Sequence, residues 1–156
     1  MKSSEQQELT LDHGRIVGFY AHDLSKKMKN YIQNQTVSDG DDPTAASHAW
    51  LIGYLCNNRD QEIYQRDLED KLHLAKSSIA TILQTLESAG YIRRETAPHD
   101  ARQKLVVVTE EGCEFEQRMR RRILAAETQA RKDIPEKDMD VFFRIVQQML
   151  DNISGD

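Results

Sequence analysis

Two short amphipathic segments run directly into two stretches of alternating, β-branched residues, and few compact arrangements satisfy that order. Residues 64–72 place Leu68 and Leu72 four apart, and residues 76–89 carry Ile79, Ile82, Leu83 and Leu86 as one helical stripe. Gly90 closes the second segment as a C-terminal cap. The period then falls from 3.6 to 2. Tyr91-Ile92-Arg93-Arg94-Glu95 and Lys104-Leu105-Val106-Val107-Val108 read as strands, and residues 97–103 between them have the make-up of a hairpin tip.

The flanks are helical. Residues 11–34 carry Val17, Tyr20, Leu24, Met28 and Tyr31 at steps of three and four. Asp42 can cap a second helix over 44–57, with Pro43 at its first position. That helix is apolar on most of its surface and is expected to be central. Thr109 caps a helix reaching to about residue 132, with Glu110 and Glu111 in its first turn, where the helix dipole favours negative charge. Pro135 opens the last helix, whose Met139, Phe142, Phe143, Val146, Met149, Leu150 and Ile153 form the strongest stripe in the chain. At 156 residues this is one domain, 1–156, mainly α with a small β-hairpin wing. Helix, tight turn, helix and hairpin together define a winged helix-turn-helix, expected over 44–112. Helical parts over 9–35 and 113–154 flank it.

Net charge is −5, which by itself argues against nucleic acid, but the distribution is uneven. From Lys71 to Lys104 there are six basic residues (Lys71, Lys76, Arg93, Arg94, Arg102, Lys104) and three acidic ones (Glu87, Glu95, Asp100), a net of +3 that leaves −8 elsewhere. A local basic face on an acidic protein attracts phosphate while the remainder limits indiscriminate binding. No apolar run reaches membrane-spanning length and no signal peptide is visible, so a cytoplasmic protein without membrane partners is expected. There is no glycine-rich phosphate loop, nucleophile elbow or His-Glu metal motif, so catalysis and a cofactor are not expected. His13, His22, His48, His73 and His99 show no three- or four-residue pairing, which argues against a metal site. Cys56 and Cys113 are too few and too far apart for a disulfide framework and read as small apolar groups. A redox role for Cys113, at a helix N-terminus, stays open.

Opposite its apolar stripe, the segment 76–89 presents Ser77, Ser78, Thr81, Gln84 and Thr85. Such short or amide side chains can bond base edges while the helix approaches closely, and no carboxylate there repels DNA. An ordinary amphipathic helix would show a similar polar face. Lys76 lies at the helix N-terminus, where a cation and backbone amides can both meet phosphate. At the hairpin tip Asp100 and Arg102 can pair, holding the guanidinium extended for a narrow, electronegative minor groove, and Lys104 can add a phosphate contact. A surface ion pair without function is the plain alternative.

The run Gln65-Arg66-Asp67-Leu68-Glu69-Asp70-Lys71-Leu72, then Ser77-Ser78-Ile79, then Leu86-Glu87-Ser88-Ala89-Gly90-Tyr91, resembles the MarR family of regulators. So does the wing, Pro98-His99-Asp100-Ala101-Arg102, followed by Val108-Thr109-Glu110-Glu111-Gly112. The resemblance implies a DNA-binding transcriptional regulator, a repressor acting as a homodimer on a pseudo-palindromic operator. Ser77, Ser78 and Thr81 would then enter the major groove, Gln65 would touch phosphate, and Arg102 would enter the minor groove with Asp100 orienting it. Two departures are visible: Ala75 stands where the family often has a capping residue, and Ala101 where many members have a second wing arginine.

The resemblance further makes the flanking helices a dimerisation region, with Phe142, Phe143, Val146, Met149 and Leu150 as the seam. It also implies a small aromatic or anionic effector bound between the two regions, near Arg15, Tyr20, His22, His48, Trp50 and Tyr54; Trp50 and Tyr54 read equally well as core. Arg120-Arg121-Arg122 reads as a solvated or intersubunit ion-pairing run. The competing reading is a winged-helix protein–protein interaction module without sequence-specific DNA binding.

Overall fold

The computed structural model describes residues 16–155. The elements run α1 (Val17–Ser38), α2 (Pro43–Ala46), α3 (Ala49–Asn57), α4 (Gln65–Leu72), α5 (Lys76–Ser88), β1 (Ile92–Ala97), β2 (Asp100–Val108), α6 (Glu110–Ala130) and α7 (Glu136–Ser154). The two strands form an antiparallel sheet. This is the mainly helical winged helix-turn-helix expected. The segment expected as one helix over 44–57 is two. Asp42 caps α2 by accepting from the Thr44 amide at 2.8 Å. The Ser47 hydroxyl then donates to the Thr44 carbonyl at 2.6 Å, a side-chain bond that competes with helix continuation, and His48 leaves helical geometry.

One apolar cluster holds the winged helix together. Leu51, Ile52 and Leu55 of α3 meet Leu68 of α4, then Ile79, Leu83 and Leu86 of α5, all buried. The wing adds Ile92 and Val106, and α6 adds Phe115, whose ring stacks on Tyr91 at 4.1 Å between centroids. The expected stripe on 76–89 is therefore the buried one, with Ile82 at its half-buried edge. Trp50 departs from the expected central role of its helix, being 47 % exposed.

The start of α6 is fixed on the end of α5. The Thr109 hydroxyl donates to the Gly90 carbonyl at 2.7 Å and accepts from the Gly112 amide at 3.0 Å, while the Thr109 amide donates to the Tyr91 carbonyl at 3.0 Å. A Cβ on Gly112 would meet that Tyr91 oxygen at 2.1 Å, so only glycine fits the approach. Gly90, at φ +79°, supplies the left-handed turn that ends α5, and the Tyr91 amide returns to the Leu86 carbonyl.

A second joint is ionic. Arg118 of α6 donates to both oxygens of Asp41 at 3.1 and 2.9 Å and to Glu111 at 2.8 Å. Arg122 donates twice to Asp39 at 3.1 and 2.8 Å and also bonds Asp41. Within the run 120–122, Arg122 departs from the expectation: its side chain is 5 % exposed and paired within its own chain. Helical periodicity explains it, since α6 can turn only one of three consecutive arginines inward. Burial pushes the Asp41 carboxyl up, but the hydrogen bonds from Arg118 and Arg122 outweigh it and hold it below the usual carboxylate range.

The two cysteines are also not as expected. Cys56, on the last turn of α3, and Cys113, on the first turns of α6, form a disulfide with Cα atoms 6.2 Å apart. They are separated by 57 residues in sequence, and the packing of α3 along α6 brings them together.

Two substitutions check these joints. Gly112→Ala should destabilise the chain by about 2–3 kcal/mol, read from urea unfolding, because backbone must move to admit the methyl group. Asp41→Asn should cost about 2–3 kcal/mol at neutral pH by leaving two arginines short of charge. Because the folded carboxyl is depressed, its contribution is present above the ordinary value of 3.8 and lost as pH falls through the lower folded value. Wild-type and Asp41→Asn stabilities should therefore converge on acidification, and a constant gap would contradict the assignment.

Candidate nucleic-acid interface

The helix-turn-helix is α4 and α5. The Tyr64 amide donates to Asp67 at 3.0 Å at the start of α4, and His73 ends that helix in the left-handed region at φ 49°, allowing the tight turn. Ala75 provides no side-chain cap to α5, so the first amides of that helix are left without one, next to the exposed Lys76. Both features suit an anion at the helix start.

Along α5, Ser77, Ser78, Thr81 and Gln84 are all exposed. The Thr81 hydroxyl donates to the Ser77 carbonyl at 2.9 Å, which fixes its rotamer and leaves its oxygen as an acceptor. Among the described residues, Ser77, Ser78 and Gln84 make no side-chain bond to the protein. Ser77, Ser78, Thr81 and Ile82 line an open depression of 410 Å³ together with His48. His48 belongs to this face, which sequence reasoning missed; its signal, a break in the helix at Ser47, is visible only once α2 and α3 separate. Gln65, half-buried at the start of α4, donates at 3.4 Å to Glu69.

The wing is built differently from expectation. Strand pairing is regular from Ile92↔Val108 to Thr96↔Lys104, then shifts so that Ala97 faces Asp100. Residues 101–103 are the excess in β2, a bulge that re-aims the strand. Asp100 does not bind the Arg102 guanidinium. It accepts from the Arg102 backbone amide at 2.9 Å and from the Gln103 side chain at 3.4 Å, shaping the tip through the main chain. The Arg102 guanidinium has no partner among the described residues and is exposed. Lys104 donates to Thr96 across the ladder at 2.9 Å.

Two cations counted in the basic stretch are engaged. Arg94 donates to Glu87 of α5 at 3.1 and 2.7 Å, and Arg93 pairs with Glu95 at 3.3 Å. The Arg94 bonds hold the Glu87 carboxyl below its usual range despite some burial. Lys76, Arg102 and Lys104 remain toward solvent, flanking α5 and the wing.

The residues expected around an effector do not share one cavity. Arg15 lies outside the described residues. Tyr20 and His22 are exposed on α1, and Tyr20 lines a groove of 600 Å³ between α1 and α7. His48 sits against α5, and the Tyr54 hydroxyl accepts from Lys71 at 3.0 Å in a separate depression. Of the five seam residues, Phe142, Phe143 and Leu150 are exposed, and Phe142, Val146 and Met149 line the α1–α7 groove. No group of three metal-ligating side chains and no helix long and apolar enough to cross a membrane occurs among the described residues.

Residues 42–103 match the model of the MarR family. In the regulator PcaV from Streptomyces coelicolor the same architecture recurs at 22 % identity and a TM-score of 0.71, over 90 % of this chain and 99 % of that one. MepR, a transcription regulator of the Staphylococcus aureus multidrug efflux pump MepA, is similar at 18 % identity and 0.69, over 89 % and 99 %. The heme sensor PefR, solved with heme and carbon monoxide, is similar at 18 % identity and 0.69, over 86 % and 92 %. No curated protein sequence matches this chain. The family match covers the winged helix and leaves the flanking helices outside it. The chain as a whole has the fold shared by that family's transcriptional regulators.

Because the exposed Arg102 guanidinium makes no hydrogen bond or ion pair among the described residues, Arg102→Ala should leave the stability unchanged within about 0.5 kcal/mol. It should weaken binding to duplex DNA by a few kcal/mol at most, measured by fluorescence anisotropy. Unchanged affinity would remove the wing from the interface.

Proposed function

We propose that the chain is a sequence-specific DNA-binding transcriptional regulator, a homodimeric repressor on a pseudo-palindromic operator that a small aromatic or anionic molecule releases. The observation that carries this reading is the exposed, uncharged hydroxyl and amide face of α5, set beside a wing tip whose Arg102 guanidinium has no partner among the described residues. In the reading, Ser77, Ser78, Thr81 and Gln84 address base edges in the major groove. Lys76, Gln65, Lys104 and His48 meet phosphates at its rim, and Arg102 enters the minor groove from a tip shaped by Asp100.

Dimerisation is supported by an apolar face that one chain leaves open. Leu24 of α1, Leu124 of α6, and Phe142, Phe143, Ile145 and Leu150 of α7 are all exposed, a patch of the kind that marks an interface. Residues 9–35 and 113–154 form the dimerisation part in this reading, and 44–112 the DNA-binding part. Small-molecule binding on this fold has a precedent in the heme sensor PefR, solved with heme and carbon monoxide. A protein–protein module would instead be expected to show apolar residues on the α5 face, where hydroxyls stand.

Selection of bound sequences from a random duplex pool at two salt concentrations tests the reading. A pseudo-palindrome with half-sites about one helical turn apart is expected. No motif, with binding that salt abolishes, would overturn it. On the selected site Thr81→Ala should lower discrimination between sites more than affinity for unrelated DNA. Equal losses on all sequences would mean that α5 does not read bases.

A further inference from the structure

The α3–α6 contact carries a pair of groups that DNA reading does not use. Cys56 and Cys113 are joined, their Cα atoms 6.2 Å apart, in the last turn of α3 and the first turns of α6. Cys113 is 8 % exposed, whereas Cys56 is only half-buried. A protein that works on DNA works where thiols are kept reduced, and a disulfide there is characteristically transient rather than permanent. We propose that Cys56 and Cys113 are a redox-modification site, opened and closed by exchange with a low-molecular-weight disulfide, and that the closed form is the better DNA binder. This rests on the DNA-binding reading.

The exchange is balanced within the pair. The Cys56 thiolate, the accessible one, attacks one sulfur of the small disulfide; that S–S bond breaks and one thiolate leaves with the electron pair. Cys113, as thiolate, then attacks the Cys56 sulfur and expels the second small thiolate. The two cysteine protons end on the two small thiols released, and two electrons pass from the protein dithiol to the small disulfide.

Position gives the bond a mechanical consequence. Beyond Cys56 the chain reaches Ile63, whose carbonyl accepts the Val106 amide of β2 at 2.8 Å, and Tyr64, which bridges to Leu105. Beyond Cys113 runs α6, held to Tyr91 at its start. The bond therefore ties the wing's inner strand and α3 to the helix that leads out of the winged helix. Closing it fixes the angle of the DNA-contacting face on α6 before DNA arrives, and such preorganisation raises affinity.

The test uses the full chain, reduced and then equilibrated with oxidised glutathione. Free thiols are alkylated and counted by intact mass, and both forms are titrated with the selected duplex. Loss of both alkylation sites without dimer mass is expected, with at least five-fold tighter DNA binding in the closed form. The unfolding midpoint should rise by about 5–10 °C on closure. Cys56→Ser should keep Cys113 alkylatable and bind DNA as the reduced chain does, whereas Cys113→Ser should stop at a Cys56 mixed disulfide, heavier by one glutathione, without the gain in affinity. Persistence of two alkylatable thiols, equal affinity of the two forms, or an undiminished redox response in Cys56→Ser would overturn the proposal. If neither form selects a duplex, the DNA-binding reading falls, while alkylation still decides whether the pair exchanges.

Discussion

The backbone of Tyr91 is the surface on which the rest of the winged helix is assembled. Its amide closes α5, its carbonyl receives the Thr109 amide, and its ring stacks on Phe115 two turns into α6. The chain leaves this point as β1 and returns to it after β2, so the wing is a loop pinned at both ends to one peptide. Gly112 permits the pinning, because α6 must pass so near the Tyr91 oxygen that no side chain fits between. Orientation of α5, the wing and the connecting helix is therefore a single geometric fact rather than three.

Charge is organised around the same frame. The acidic residues that dominate the net balance are partly spent internally: Asp39 and Asp41 neutralise Arg118 and Arg122, and Glu87 neutralises Arg94. Among the cations facing solvent on α5 and the wing are Lys76, Lys104 and Arg102. Few such charges would suit the proposed reader of sequence, since every additional unspecific cation strengthens binding to all sequences alike.

Much of this was legible in the sequence because local chemistry decided it. Asp42 and Thr109 cap the helices they precede, Gly90 ends α5, and the leucine–isoleucine stripe of 76–89 is the buried one. What was not legible depends on distance through space. Nothing in a separation of 57 residues indicates that Cys56 and Cys113 meet, and three arginines in a row look solvated until α6 is seen to turn Arg122 inward. Ser47 splits one apolar helix in two through a bond to the Thr44 carbonyl, and the split moves His48 to the face of α5. Asp100 was matched to the right residue but to the wrong atoms: its partner is the amide of Arg102, not the guanidinium.

That last difference bears on how such a wing changes over generations. A tip held by a bond between a carboxylate and the main chain keeps its shape whatever side chain follows, because every residue but proline brings the same amide. Position 102 is then a socket in a finished mount. Lysine, asparagine or glutamine can be exchanged there without refolding the hairpin, and in the proposed reading the preference for a groove shape can drift while the scaffold that presents it stays still. Asp100, by contrast, is bound to the mount itself, and a lineage that altered it would have to find another way to bend the strand.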